Sequence, residues 1–210
     1  MKITMIILSL FFLVSLSACA FKDNKASELE TLASNYGGIY IFDRKAREEI
    51  LQREKERDEY MDDFFKTHEY FTVSDLEVLN KILPQVLSNG CKYYRSDYRY
   101  KGKADFGFKD KPEFAYYEDQ FKAYMGEENY KKLRPYLGMT TYYVCEGKKY
   151  PVVFDTMIDY KVKSYGLFGD EGRGFSFSST RYTGVGGGHF HYFTNGKFIK
   201  SDEKYTGQSY

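Results

Sequence analysis

The 210-residue chain has no tryptophan, three histidines and three cysteines. Three imidazoles leave little material for a metal centre, since structural zinc sites take four protein ligands and catalytic ones three. Charge of one sign is also missing. Lys and Arg number 31 against 30 Asp and Glu, so bulk electrostatics gives no reason to expect nucleic acid or anionic lipid as a partner. There are no internal repeats. Only the start of the chain carries a long uncharged apolar run.

That run follows Met1-Lys2 and extends from Ile3 to Val14. At 1.5 Å per residue its helix would be roughly 18 Å long, short of the roughly 30 Å of a hydrocarbon core. It has the length of a signal h-region. Leu16-Ser17-Ala18-Cys19 follows. An aliphatic residue, two small ones and a cysteine in this order resemble the lipobox of bacterial lipoproteins. The resemblance implies diacylglycerol on the Cys19 thiol, cleavage before Cys19 and acylation of the freed amine. The lipid bilayer is then one partner and the cell envelope the address. Ala20, where an aspartate would signal inner-membrane retention, implies the outer membrane facing the periplasm of a Gram-negative host. Loss of residues 1–18 would remove one basic residue, Lys2, and no acidic one, leaving a formally neutral chain.

Cys91 and Cys145 remain. In an oxidising envelope two such residues are most simply one disulfide, and two buried thiols are the alternative. A bridge would leave no cysteine nucleophile.

The 22 Tyr and 18 Phe favour strands first and a recognition surface second. Residues 19–26 form a short lipidated tether. Ser27 and Glu30 fit a capping box, with Leu29, Leu32, Ala33 and Tyr36 as the apolar stripe of a short helix. Ile39–Phe42 is a brief strand. Asp43 caps a long helix to about Phe65, whose stretch from Gln52 to Glu59 is charged all round and reads as solvated; Glu49 and Arg53 suit an i,i+4 pair. A third helix starts at Ser74 with Glu77 as its capping partner, presents Leu76, Leu79, Ile82, Leu83, Val86 and Leu87, and is kinked or divided by Pro84. Strand patterns begin at Cys91, interrupted by a helix from Pro112 to Leu133 that breaks at Gly126. Further strands are expected at 139–145, 150–154, 157–168, 174–181, 189–193 and 197–200, the last two joined by Asn195-Gly196, a hairpin signal. The expected fold is α+β, N-terminal helices followed by an antiparallel, aromatic-rich β-meander with one helical insertion. One domain spans 27–200, helical over 27–90 and β-rich over 91–200, with 201–210 a flexible tail.

Catalytic signatures are incomplete. His68-Glu69 begins like a zinc-peptidase helix, but Thr72 stands where the second histidine is required. Gly174-Phe175-Ser176-Phe177-Ser178 lacks the second glycine of a nucleophile elbow and its strand–turn–helix setting. Gly184-Val185-Gly186-Gly187-Gly188 lacks the Lys-Ser/Thr ending of a phosphate cradle. It reads either as a turn between antiparallel strands or as a mobile loop beside a binding face, with Tyr182, Gly186, Gly187, Gly188, His189, His191 and Tyr192 as the possible binding residues. His189 and His191 share one face of a strand and are weak metal candidates, with only Asp170 or Glu171 nearby as a third ligand. No cofactor is expected. The leading expectation is a non-enzymatic envelope lipoprotein that binds another envelope protein or a cell-wall component and no nucleic acid. An immunity or inhibitor lipoprotein against a delivered toxin is the alternative within the binding class, and a metal-assisted hydrolase using His189 and His191 the alternative outside it.

Overall fold

The computed structural model describes residues 24–95, 111–172, 174–186 and 188–205. The elements run α1 (Asn24–Tyr36), β1 (Gly38–Ile41), α2 (Arg44–Phe65), α3 (Val73–Ile82), β2 (Lys92–Arg95), α4 (Phe114–Met125), α5 (Glu127–Leu133), β3 (Tyr136–Cys145), β4 (Lys148–Asp170), β5 (Gly174–Gly186), β6 (His189–Thr194) and β7 (Lys197–Lys204). The strands form one seven-stranded sheet in the order β2-β3-β4-β1-β6-β7, with β5 also on β4. The class is α+β, as the residue patterns imply. The sheet, however, is mixed and not an antiparallel meander.

The mixture comes from β1. This four-residue strand lies antiparallel to β4 and parallel to β6, and Ile39, Tyr40 and Ile41 are all buried. Met157 pairs with Tyr136 of β3 and with Gly186 of β5, while its neighbour Thr156 pairs with Leu137 of β3 and with Gly38 of β1. A strand residue has two sides, so β5 and β1 meet head to tail along the same side of β4. The chain then steps outward and resumes as β6 beyond β1, with His189 beside Gly38. β5 and β6 therefore run in the same direction. The glycine run therefore does not join antiparallel neighbours; Gly184 and Gly186 belong to β5, and Gly187 lies outside the described residues.

Helices cover both faces. On one, Ala46 and Ile50 of α2 pack with Ile39, Ile41, Val153 and Phe190. On the other, Phe121 and Met125 of α4 meet Tyr40, Phe154 and Phe198. Burial of side chains of this size stabilises by about 1.5–3 kcal/mol each before ordering costs. A third cluster joins Leu29, Leu32, Ala33 and Tyr36 of α1 to Ile158, Tyr160 and Val162 of β4 and Leu133 of α5, which uses the stripe read from the sequence.

Local signals act much as written. The Asp43 carboxylate accepts from the Ala46 N–H at the start of α2, and Glu49 pairs with Arg53 at 2.9 Å. Gly126, at φ 80°, separates α4 from α5. Asn195 and Gly196, both at positive φ, turn β6 into β7, and Glu146-Gly147 does the same between β3 and β4. Cys91 and Cys145 form a disulfide with Cα atoms 5.0 Å apart. It continues the β2–β3 register past the Lys92–Val144 pair and fastens the edge strand β2.

Other boundaries differ. α1 begins at Asn24, inside the expected tether, so Ser27 is within the helix and not at its cap. α3 is capped by Thr72, whose side chain and that of Asp75 satisfy each other's backbone N–H groups, not by Ser74 and Glu77. Leu83 ends it ahead of Pro84. The two strands expected at 150–154 and 157–168 are one, β4, because Asp155 and Thr156 stay paired with Ile39 and Gly38 as the strand passes from β1 to β5. β7 runs to Lys204, and the Tyr205 N–H donates to the Gly188 carbonyl at 2.6 Å, so 201–205 are part of the sheet's edge and not of a tail.

The charged middle of α2 is not simply solvated. Arg57 is buried and donates to the Leu83 carbonyl and, at 3.0 Å, to Asn80 Oδ1. Glu54 stands 3.6 Å from both Arg57 and Arg95 and accepts from Tyr93 at 2.7 Å and Gln85 at 3.1 Å. This network ties α2 to the end of α3 and to β2. Each charge has a partner, which a buried ion requires.

Gly38 gives the sharpest test of this architecture. Its φ is 146°, and a Cβ there would collide with the His189 carbonyl oxygen. Gly38→Ala is expected to lower stability by about 3 kcal/mol or more. Gly90→Ala, also at positive φ but with open space around it, should cost about 1 kcal/mol. Urea denaturation of the two variants measures both; equal costs would contradict the close approach of β1 to β6.

Candidate functional site

The residues grouped around the glycine run do not converge. His191 is fully buried. Its ring stacks on that of Tyr40, the next strand's residue in register, at 4.2 Å, and Nδ1 lies 3.1 Å from the Tyr124 hydroxyl. Nε2 makes no hydrogen bond of normal geometry, although the Gly37 backbone is near enough to favour the charged ring. Burial prevails and lowers the pKa to about 4. His189 is half-buried, with Nδ1 3.2 Å from the Ser201 carbonyl oxygen. Tyr192 belongs to the opposite face, where its hydroxyl donates to Glu203 at 3.1 Å and the Arg44 guanidinium sits 5.3 Å above its ring. Tyr182 stands out on β5, opposite Lys161.

Asp170 and Glu171 are equally remote. His191 pairs with Tyr40 and Tyr40 with Phe154, and Asp170 lies a further 16 residues along β4, roughly 50 Å of extended strand. Among the described residues no three His, Cys, Asp or Glu side chains converge as a metal site would need. His68 is exposed, stacked on Phe64 at 4.1 Å. Ser176 and Ser178 lie within a continuous strand, where the Ser176 hydroxyl donates to the Ser178 carbonyl at 2.7 Å.

A different surface stands out, the arm formed by β4 and β5. Its base is built like the rest of the core, since Ile158, Tyr160 and Val162 alternate inward beneath α1. Past Val162 the pairing continues from Lys163–Thr180 to Asp170–Gly174, about 25 Å further at 3.3 Å per residue. No described residue covers this outer part. Leu167 is 66 % exposed, Phe175 64 % and Phe177 82 %, and Tyr165 and Tyr182 are also exposed.

Strand parity explains how the apolar residues gather. Ser176 opposes Phe168 and Ser178 opposes Tyr165. Phe175 and Phe177 thus project to the other face, the one that α1 covers nearer the base. The register shift between Tyr165 and Phe168 leaves Gly166 and Leu167 facing Phe177 alone. Gly169 permits tight pairing at the tip, where a Cβ would meet the Gly174 carbonyl. A two-stranded ribbon with water on both faces is marginal by itself, and neighbouring exposed aromatics mark a surface that gains by being covered. The sequence contained the signal, alternating Phe and Ser over 175–178, but reading it required knowing that no helix lies over this half of the ribbon.

The chain matches no protein-family model, no curated protein and no solved structure.

His191 makes the fold sensitive to acid. Its folded pKa of about 4 lies below the ordinary 6.5, so between those values the unfolded chain binds a proton that the native chain does not. Stability contributed by the neutral ring is present above about pH 6.5 and is lost as pH falls toward 4, by up to about 3 kcal/mol. In His191→Gln the slope of unfolding free energy against pH over that window should flatten relative to wild type. Parallel slopes would show that the ring is protonated without cost.

Proposed function

We propose that this chain is a lipid-anchored protein of the bacterial cell envelope, held through acylated Cys19, and that it acts by binding and not by catalysis. Its partner is another envelope protein or a cell-wall component, engaged through the β4–β5 arm. The observation that carries the reading is the arm itself, a paired ribbon that bears Leu167, Phe175 and Phe177 in water without a cover among the described residues. The leader supports the address, since Leu16-Ser17-Ala18-Cys19 follows an apolar run too short for a comfortable span. Among the described residues no helix is long and apolar enough to cross a membrane. A hydrolase at His189 and His191 gains no support from geometry, because one ring is stacked in the core and the other is bonded to the backbone. An immunity or inhibitor role is a second reading, favoured by the acidic helical surface described below.

The anchor is tested by labelled fatty acid. Wild type should take up the label and Cys19→Ser should not; label retained on the variant would refute the assignment.

The arm is tested separately by a photo-crosslinking residue at position 177 of the full chain in its host. A discrete product should form, and Phe175→Ser should abolish it while shifting the melting temperature by no more than about 2 °C. Crosslinks no stronger than those from the same residue placed at Lys148, exposed at the start of β4, would exclude the arm as the binding element.

A further inference from the structure

An amphipathic helix normally buries its apolar stripe. α3 does not. Leu79 is seated in the fold, but Leu76 and Ile82, one turn to either side, are 42 % and 57 % exposed, and Val73 and Val78 are exposed as well. The connection from α2 adds exposed Phe65 and Tyr70. Arg57 grips the Asn80 side chain and the Leu83 carbonyl, so polar contacts at its C-terminal end fix the helix, and no described residue covers the rest of its stripe.

The surroundings of this stripe are mostly acidic. From Glu56 to Glu77 the chain carries eight carboxylates and two cations, Arg57 and Lys66. Arg57 is buried against Glu54, and Lys66 is paired with Asp63 at 2.6 Å. Lys55, 3.8 Å from Glu59, and Lys81, in the last turn of α3, bound the stretch. The near balance of charge over the whole chain conceals this concentration. An apolar surface framed by carboxylates repels phosphate-bearing polymers and anionic lipid, and it attracts positive charge at long range.

We propose that the exposed stripe of α3, with the acidic stretch from Glu56 to Glu77 around it, is a docking face for a cationic protein segment that carries apolar anchors. Arg or Lys side chains on the partner meet the carboxylates, and its apolar residues pack against Val73, Leu76 and Ile82. Such a helix-on-helix contact draws specificity from the anchors and association rate from the charge. The face is carried by elements other than the β4–β5 arm, and the inference does not depend on the lipid anchor.

The test uses the full chain in nanodiscs of zwitterionic lipid. It is titrated with a synthetic peptide of about eighteen residues, roughly five helical turns, basic on one face and with Leu and Phe at i, i+3, i+4 and i+7 on the other. A shuffled peptide of identical composition is the comparison. The amphipathic peptide should bind about tenfold tighter or more. Leu76→Ser with Ile82→Ser should remove that advantage, and so should Val73→Ser in part if the pair perturbs folding. Asp62→Lys with Glu77→Lys should weaken binding and flatten its salt dependence, whereas Phe177→Ser should leave it unchanged. Equal affinity for the two peptides, or indifference to the apolar changes, would reduce the face to a diffuse acidic surface and overturn the proposal. Insensitivity to the charge reversals would overturn it from the other side. Preferential binding of anionic vesicles, or a dimer of the chain that Leu76→Ser dissolves, would assign the stripe to lipid or to a second copy and would also overturn it.

Discussion

The fold depends on one insertion, the four residues of β1 between β4 and β6. A buried strand must pair its backbone N–H and C=O groups on both sides, and β1 does so with an antiparallel neighbour and a parallel one. Its side chains alternate between the two cores. Ile39 and Ile41 face α2, and Tyr40 faces α4, where its ring lies between those of His191 at 4.2 Å and Phe121 at 4.7 Å. Each core therefore includes residues of the same short strand. Burial raises the Tyr40 pKa well above its ordinary value, so the ring stays a neutral hydrogen-bond donor, and its hydroxyl reaches back to the Tyr36 carbonyl at the end of α1.

The insertion has a cost that falls on β5 and β6. Without β1 the two could run on as one strand along β4. With β1 in place β6 lies one strand further out than β5, and the Gly38 backbone approaches the His189 carbonyl too closely for any side chain. The same step decides what is exposed. On the near side of it the ribbon becomes sheet, covered on both faces. On the far side, among the described residues, β4 and β5 pair only with each other, and the α1 cluster reaches only as far as Val162. The bare arm is thus the remainder of a strand pair that β1 and α1 are too short to cover.

What could be read in the sequence was local. Capping by Asp43, the break at Gly126, the Asn195-Gly196 turn and the α1 stripe depend on neighbours within a few residues, and their chemistry dictates the geometry whatever the rest of the chain does. Pairing of Cys91 with Cys145 followed from redox reasoning and not from shape. The missed features depend on distant residues. No pattern in Gly38–Ile41 says that its second partner begins at His189, and a parallel pair leaves no turn signal because its connection is long. Arg57 and Glu54 look like any other charges on a solvated helix until Tyr93 and Arg95 arrive from β2. His191 and His189 were expected on one face and do pair with alternate residues of β1, yet face alone does not distinguish a ligand from a core residue; the ring of Tyr40 does.

Aromatic content misleads in the same way when it is counted across the chain. Inside, rings pack on rings. Phe42 meets Tyr117, Phe154 and Phe198 at 4.9–5.5 Å, and Tyr40, Phe121 and Phe198 close the cluster. These contacts account for much of the Tyr and Phe without any partner. Phe175 and Phe177 belong to the same composition but to a different energetic situation, since their apolar area stays in water and each loses the stabilisation of about 1.5–3 kcal/mol that burial would supply. Folding alone gives no reason to place two phenylalanines there, because Ser or Thr at those positions would pair equally well in the ribbon and leave less apolar surface exposed. The stripe of α3 poses the same problem with a different chemistry around it, carboxylates where the arm has serine and threonine. Two uncovered apolar surfaces with unlike surroundings are difficult to satisfy with one ligand. The two proposals accordingly assign them separate occupants, an apolar one at the arm and a cationic one at the helix.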